Sequence, residues 1–259
     1  MKKIRLGKTN MMVTQVGFGG IPIQRLTEDE AVEVVRNTIA QGVNFIDTAN
    51  AYTTSEERIG KAITGQRDKL IIATKTQART KEGIEEHLEL SLQRLGIDYI
   101  DLYQFHNISN AETLKTILEP GGPFTVIEDA MKSGKIKHVG ASSHQIDIAK
   151  EIVKSNRFET IMFPFNFISD EAANELLPMA RKNDVGYIAM KTLAGGVLDN
   201  ANIAFKFFQN YPDVLLIPGI EKVSEIEEIV KIVEAGKPLT EEEKREGDRI
   251  KQELGTVFC

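Results

Sequence analysis

Short runs of hydrophobic residues alternate with longer amphipathic segments along nearly the whole chain. Eight of the short runs are rich in β-branched and aromatic residues, which is typical of strands. Most of them are almost continuously apolar, as parallel strands are when both faces of the sheet are covered. The predicted strands occupy residues 14–19, 43–47, 70–75, 99–106, 138–143, 160–166, 186–191 and 214–219.

The segments between these runs have helical periodicity and recognisable ends. Thr27 and Glu30 form a predicted capping box at the start of one helix, and Gly42 follows its last turn. A second helix repeats apolar side chains at helical spacing and stops at Gly96. Eight strand–helix units with no linker between them predict an α/β protein with a closed (β/α)8 barrel, and an open doubly wound sheet is the alternative.

Both ends of the chain add to this barrel. Residues 1–14 are predicted to form a hairpin that covers the bottom of the barrel, and residues 240–254 a charged helix at the other end of the chain. The length of 259 residues fits one such domain over residues 1–259, since about 250 residues are typical of the fold.

Composition and charge narrow the classes of function. The net charge is −6 and acids and bases are interspersed, so nucleic-acid binding and attachment to an anionic membrane are disfavoured. No apolar run nears membrane-spanning length, and the first ten residues lack the apolar core of a signal peptide. The one cysteine, Cys259, cannot form an internal disulfide, and no spacing of histidines indicates a metal site. We therefore expect a cytoplasmic protein with a small-molecule partner.

Four polar residues fall at or just after the ends of three consecutive predicted strands. Asp47 ends the second strand, Lys75 the third and His106 the fourth, and Tyr52 lies in the loop after Asp47. Catalytic residues of (β/α)8 barrels come from these carboxyl ends of strands. Each residue alone has a structural explanation, such as a helix cap or a solvated ammonium, but here four such explanations would have to hold at once.

These four residues, called the tetrad below, suit proton transfer to an oxygen. A phenol is a weak acid at neutral pH, and a neighbouring ammonium strengthens it by stabilising the phenolate. Lys75 would have that role for Tyr52, with Asp47 fixing the ammonium, while His106 would hydrogen-bond to the substrate oxygen or to Tyr52. The tetrad thus predicts protonation of a carbonyl oxygen during its reduction. A Schiff-base lyase using Lys75 is a weaker alternative, because Asp47 would keep the amine protonated.

The same residues carry a resemblance to a known family. The segments FIDTANAY, SEERIGKAI, IIATK, SLQRLGIDYIDLYQFH and GKIKHVGASS resemble the aldo-keto reductase family in their order and separation, and the resemblance covers most of the chain. It implies a (β/α)8 barrel that binds NADP(H) across its mouth and reduces a small aldehyde or ketone, with Tyr52 as the proton donor of the tetrad. The alternative is a dinucleotide-binding regulatory module with little turnover.

The resemblance also implies cofactor-binding positions, some of which depart from the family. Its Ser-Asn pair, which holds the nicotinamide carboxamide, appears as Ser142 and Ser143, and its glutamine falls at Met162. Asn166 is the candidate to replace the missing amide. The implied cofactor-binding residues are Gly19, Gly20, Asp47, Ser142, Ser143, Asn166, Met190, Lys191, Leu193, Gly195, Gly196, Pro218, Gly219, Glu221, Glu225 and Glu228.

Two further departures concern the choice of cofactor. Family members that select NADPH commonly place a lysine after the eighth strand and an arginine six residues later, where this chain has Gly219 and Glu225. We therefore expect a weakened preference for NADPH, with NAD(H) used at a comparable level.

The segment MKTLAGG resembles a branch of the family with a cysteine-rich, iron–sulfur-like tail, so an iron–sulfur cluster is expected only if such a tail follows Cys259.

Overall fold

Eight parallel strands form a barrel in the computed structural model, which describes residues 1–255. The strands are neighbours in chain order, and parallel bridges from Val16 to Leu216 and from Gly19 to Gly219 join the first strand to the last. The (β/α)8 fold predicted from the sequence is confirmed. Cys259 lies outside the described residues, and with it the expectation of an iron–sulfur tail.

All eight predicted strands are present, and most are shorter than predicted. His106 was expected to end a strand, but the ladder ends at Phe105 and His106 is the first residue of the following loop. The hairpin strands are β1 (Lys3–Arg5) and β2 (Met12–Thr14). The barrel strands are β3 (Phe18–Gly19), β4 (Phe45–Asp47), β5 (Ile71–Thr76), β6 (Ile100–Phe105), β7 (Ile136–Ser142), β8 (Thr160–Pro164), β9 (Gly186–Met190) and β10 (Leu215–Ile217).

Helices surround the barrel, and their ends follow the capping signals in the sequence. Thr27 and Glu30 form the expected reciprocal capping box, and Gly96 adopts a left-handed φ of 63° where a helix ends. Among residues 1–255, no helix is long and apolar enough to cross a membrane. The helices are α1 (Glu28–Ala40), α2 (Ser55–Ile63), α3 (Lys81–Leu95), α4 (Ala111–Leu118), α5 (Phe124–Lys132), α6 (Ile146–Lys154), α7 (Leu176–Lys182), α8 (Ala201–Phe207), α9 (Val223–Ala235) and α10 (Glu241–Leu254).

The N-terminal hairpin closes one end of the barrel. Ile4, Leu6 and Val13 are buried in the same apolar cluster as side chains from the barrel strands. Leu6 packs so closely on the start of β9 that a Cβ atom at Gly186 would lie 2.8 Å from its Cγ. Because this is the amino-terminal end of the strands, only the carboxyl end is left open for a site.

Candidate active site

A buried ion pair lies at the carboxyl ends of β4 and β5. Lys75 Nζ donates to Asp47 Oδ2 at 2.6 Å and to the Thr48 carbonyl at 2.6 Å, and Gln104 Nε2 donates to Asp47 Oδ1 at 3.2 Å. Burial raises the pKa of Asp47 against the opposing effect of the ammonium. Burial by itself lowers the pKa of Lys75, but the Asp47 carboxylate and Tyr52 raise it, and the net effect is a pKa above the ordinary value of a lysine. The ammonium therefore persists at neutral pH.

Tyr52 and His106 lie beside this ion pair. Their rings meet edge to face, with centroids 5.6 Å apart and an interplanar angle of 84°. Lys75 Nζ is 5.1 Å from the centroid of the Tyr52 ring. The structure thus brings the tetrad residues together at the mouth of the barrel, where the spacing of strand ends in the sequence predicts them.

The backbone of His106 is fixed from both sides. Its N–H donates to the Thr76 carbonyl at 2.8 Å, and its own carbonyl accepts a hydrogen bond from the Arg79 guanidinium at 2.5 Å. Burial, together with the charges of Lys75 and Arg79 and the nearby His144, lowers the pKa of His106 to about 3. The imidazole is therefore neutral at physiological pH.

The tetrad opens into a cleft of about 700 Å³, which is called the cleft below. Its volume is in the usual range for small-molecule and cofactor sites. Among residues 1–255, no group of three or more histidine, cysteine or acidic side chains is arranged to hold a metal ion. The expected cofactor-binding residues that line the cleft are Gly19, Gly20, Asp47, Ser142, Met190, Lys191, Leu193, Gly195, Gly196, Gly219, Glu221, Glu225 and Glu228.

The other three expected cofactor-binding residues, Ser143, Asn166 and Pro218, do not line the cleft. The Ser143 hydroxyl donates to the Ile108 carbonyl at 2.8 Å. Asn166 Oδ1 accepts from two N–H groups of its own turn, and its Nδ2 donates to the Lys191 carbonyl at 3.0 Å. Asn166 therefore shapes the loop after β9, and its amide is not presented to the cleft as the sequence-based expectation required.

Four polar residues that line the cleft are absent from the sequence-based set, namely Arg25, His144, Thr192 and Asp199. His144 directly follows the Ser-Ser pair, so its position in the sequence could have indicated it. Arg25 is paired with Glu221 (Nε to Oε1, 3.0 Å), a tertiary contact that leaves no local pattern. Thr192 is fully buried, and its Oγ1 has no hydrogen-bond partner among the described residues.

The lining of the cleft fits an extended nicotinamide dinucleotide. Among the lining residues, Met162, Met190 and Ile217 offer apolar surface to a flat ring. Gly195 and Gly196, which also line the cleft, have φ values of 70° and 95°, and apart from their chain neighbours no atom lies within 4 Å of the place where a Cβ would stand. A phosphate can therefore approach this backbone closely, which a side chain on either residue would hinder.

The fold and the site define a (β/α)8-barrel protein with an Asp-Tyr-Lys-His cluster at the mouth of its barrel. The chain belongs to the aldo/keto reductase family, because the model of that family matches residues 15–213, more than half of its length.

Individual relatives agree with this assignment. The uncharacterized oxidoreductase YqkF of Bacillus subtilis is 30% identical over an alignment of 212 residues, and the match covers 76% of this chain and 67% of the relative. The NADH-specific methylglyoxal reductase of Escherichia coli is 28% identical over 228 residues, and the match covers 76% of this chain and 69% of the relative. The holo structure of aldo-keto reductase AKR11C1 from Bacillus halodurans superposes with a TM-score of 0.81 at 26% identity and covers 96% of each chain. The chain spans about two thirds of the length of the curated relatives it matches.

Proposed function

We propose that this protein is an NAD(P)H-dependent reductase of small aldehydes or ketones. The observation that carries the proposal is the buried Asp47–Lys75 ion pair beside Tyr52 in a cleft of dinucleotide size. Family membership supports it from an independent direction.

Tyr52 protonates the carbonyl oxygen as negative charge develops there. The Lys75 ammonium, 5.1 Å from the centroid of the ring, stabilises the phenolate that remains. Asp47 holds this ammonium in place by a direct hydrogen bond. His106, which is neutral, donates a hydrogen bond to the same oxygen and adds no positive charge that would repel Lys75.

When bound in the cleft, a nicotinamide dinucleotide would supply the hydride for this reaction. Met162, Met190 and Ile217 would hold its nicotinamide ring near the tetrad, and Gly195 and Gly196 would admit its phosphates. Burial among these side chains excludes water from the reacting carbonyl, which strengthens the electrostatic effect of Lys75.

NADH serves as a cofactor at a level comparable with NADPH in this proposal. Glu225 accepts hydrogen bonds from the N–H groups of Glu221 and Lys222, at 2.8 and 3.0 Å, so its carboxylate already occupies the amino-terminal end of α9. A 2′-phosphate bound there would meet this carboxylate and that of Glu228, which also lines the cleft. The name of the Escherichia coli relative shows that NADH-specific members exist in this family.

Steady-state kinetics with both cofactors and a panel of aldehydes and ketones tests the proposal. We expect carbonyl-dependent oxidation of NADH and NADPH with similar kcat/KM. Glu225→Gln removes a charge but keeps an oxygen to cap α9, and should favour NADPH by about 10-fold or more relative to wild type.

Two results would change the proposal. Dinucleotide binding without turnover of any carbonyl would favour a regulatory module. A preference of the wild type for NADPH by a factor of about a thousand would mean that a cation binds the 2′-phosphate, with Arg25 the first candidate because it lines the same end of the cleft.

A further inference from the structure

His144 lies in the cleft close to the tetrad. It follows the end of β7, is partly buried and lines the cleft, and neither ring nitrogen has a hydrogen-bond partner within residues 1–255. Burial, together with the positive charge of Lys191, lowers the pKa of His144. The ring is therefore neutral near pH 7 and offers one donor and one acceptor to a ligand.

Most of the residues that the resemblance assigns to the nicotinamide carboxamide are already engaged or lack a strong polar group. The Ser142 hydroxyl accepts from the Asn107 N–H at 2.8 Å, which leaves its own proton free for a ligand. Ser143 and Asn166 point away from the cleft and bond to the backbone. Met162 has no strong hydrogen-bonding group. His144, two residues after Ser142, has a ring nitrogen that can accept a hydrogen bond from a ligand in the cleft, as the unpartnered Thr192 hydroxyl also can.

We propose that His144 accepts a hydrogen bond from the amino group of the nicotinamide carboxamide. This inference rests on the proposed function, in which the cleft holds a nicotinamide dinucleotide. A carboxamide needs a donor for its oxygen and an acceptor for its nitrogen, and Ser142 and His144 provide these from neighbouring positions. Together they orient the ring toward the tetrad and replace the amide side chains that this chain lacks at Ser143 and Met162.

Calorimetric titration with NADH and with its reduced 3-acetylpyridine analogue tests this role without turnover. The analogue carries a methyl group in place of the carboxamide amino group, so it cannot donate to His144. Wild type should bind NADH about tenfold more tightly than the analogue, as expected for one hydrogen bond to a buried group. His144→Ala should lose this difference by weakening NADH alone, and His144→Asn, which restores an acceptor, should regain it.

Two further variants complete the design. His144→Leu repeats the deletion with a larger side chain, in case the alanine variant does not fold. His138→Ala is the matched control, because His138 is a partly buried histidine on β7 that pairs with Glu159 at 3.0 Å and does not line the cleft. It should leave the affinity for both dinucleotides unchanged.

Each outcome decides the role of His144. Equal affinity of the wild type for the two dinucleotides overturns it, and so does an equal loss of both affinities in the deletion variants. A raised KM for the carbonyl with unchanged dinucleotide affinity would assign His144 to the substrate instead. Failure of the wild type to bind any nicotinamide dinucleotide would refute the proposed function itself, which is a distinguishable result.

Discussion

Lys75→Met removes the cation from a buried ion pair while keeping much of the volume of the side chain. The Asp47 carboxylate is then left inside the barrel mouth with the amide of Gln104 as its side-chain donor. Removing one partner of a buried pair costs about 3–5 kcal/mol, because an uncompensated charge stays behind. We therefore expect the free energy of unfolding to fall by about 3–5 kcal/mol at neutral pH.

The cost of this substitution should depend on pH. Burial raises the pKa of Asp47, and without Lys75 nothing of opposite charge acts against that effect. A carboxyl group with a raised folded pKa stabilises the folded state below its unfolded pKa of about 3.9, and the stabilisation is lost as the pH rises through the folded pKa. The deficit of Lys75→Met relative to wild type should therefore shrink as the pH falls from neutral.

Urea unfolding of wild type, Lys75→Met, Asp47→Asn and the double variant, at several pH values, measures both effects. The double variant should lose less stability than the two single variants together, because each single change leaves the other partner unsatisfied. A loss below about 1 kcal/mol for Lys75→Met at neutral pH, or a loss independent of pH, would contradict this expectation, since it would mean that no uncompensated charge is buried at Asp47.

Three other substitutions probe separate parts of the structure. The pKa of His106 is about 3 when folded and about 6.5 when unfolded. Wild type should therefore lose up to about 1.4 kcal/mol of stability per pH unit as the pH falls below 6.5. His106→Gln should lack this contribution to the pH dependence, which urea unfolding measures. Asn166→Ala removes three hydrogen bonds to the backbone and should cost about 1–3 kcal/mol and weaken NADH binding, measured by calorimetry. Gly60→Ala would place a Cβ 2.6 Å from the Arg94 carbonyl oxygen, so α2 and α3 must separate, and thermal unfolding should show a loss of about 1–3 kcal/mol.

The barrel and the position of the tetrad follow from local sequence patterns. Strands covered on both faces read as apolar runs, and the residue that ends each run lies at the barrel mouth because the strands are parallel. The helix α4 has only a weak signal in the sequence. Asn110 caps it through the Thr113 N–H at 2.8 Å, but its buried apolar face consists of only Leu114 and Ile117, too short a stripe to establish a period.

The lining of the cleft is harder to predict from the sequence than the barrel and the tetrad are. Ser142 and Ser143 are adjacent, yet the first ends β7 and lines the cleft, while the hydroxyl of the second donates to the Ile108 carbonyl. The direction of Asn166 depends on a hydrogen bond to the Lys191 carbonyl from another loop. The pairing of Arg25 with Glu221 joins loops from opposite ends of the chain and has no local signal at all.

In the proposed reaction Tyr52 donates the proton to the carbonyl oxygen, and Tyr52→Phe removes that donor. This variant removes one hydroxyl and leaves the Asp47–Lys75 ion pair in place. Single-turnover reduction of an aldehyde should be compared with NADH affinity measured by calorimetry on the same preparation. We predict an unchanged dissociation constant for NADH and a reduction rate about 10²–10⁴ times lower. Reduction at a rate near that of wild type would contradict the account.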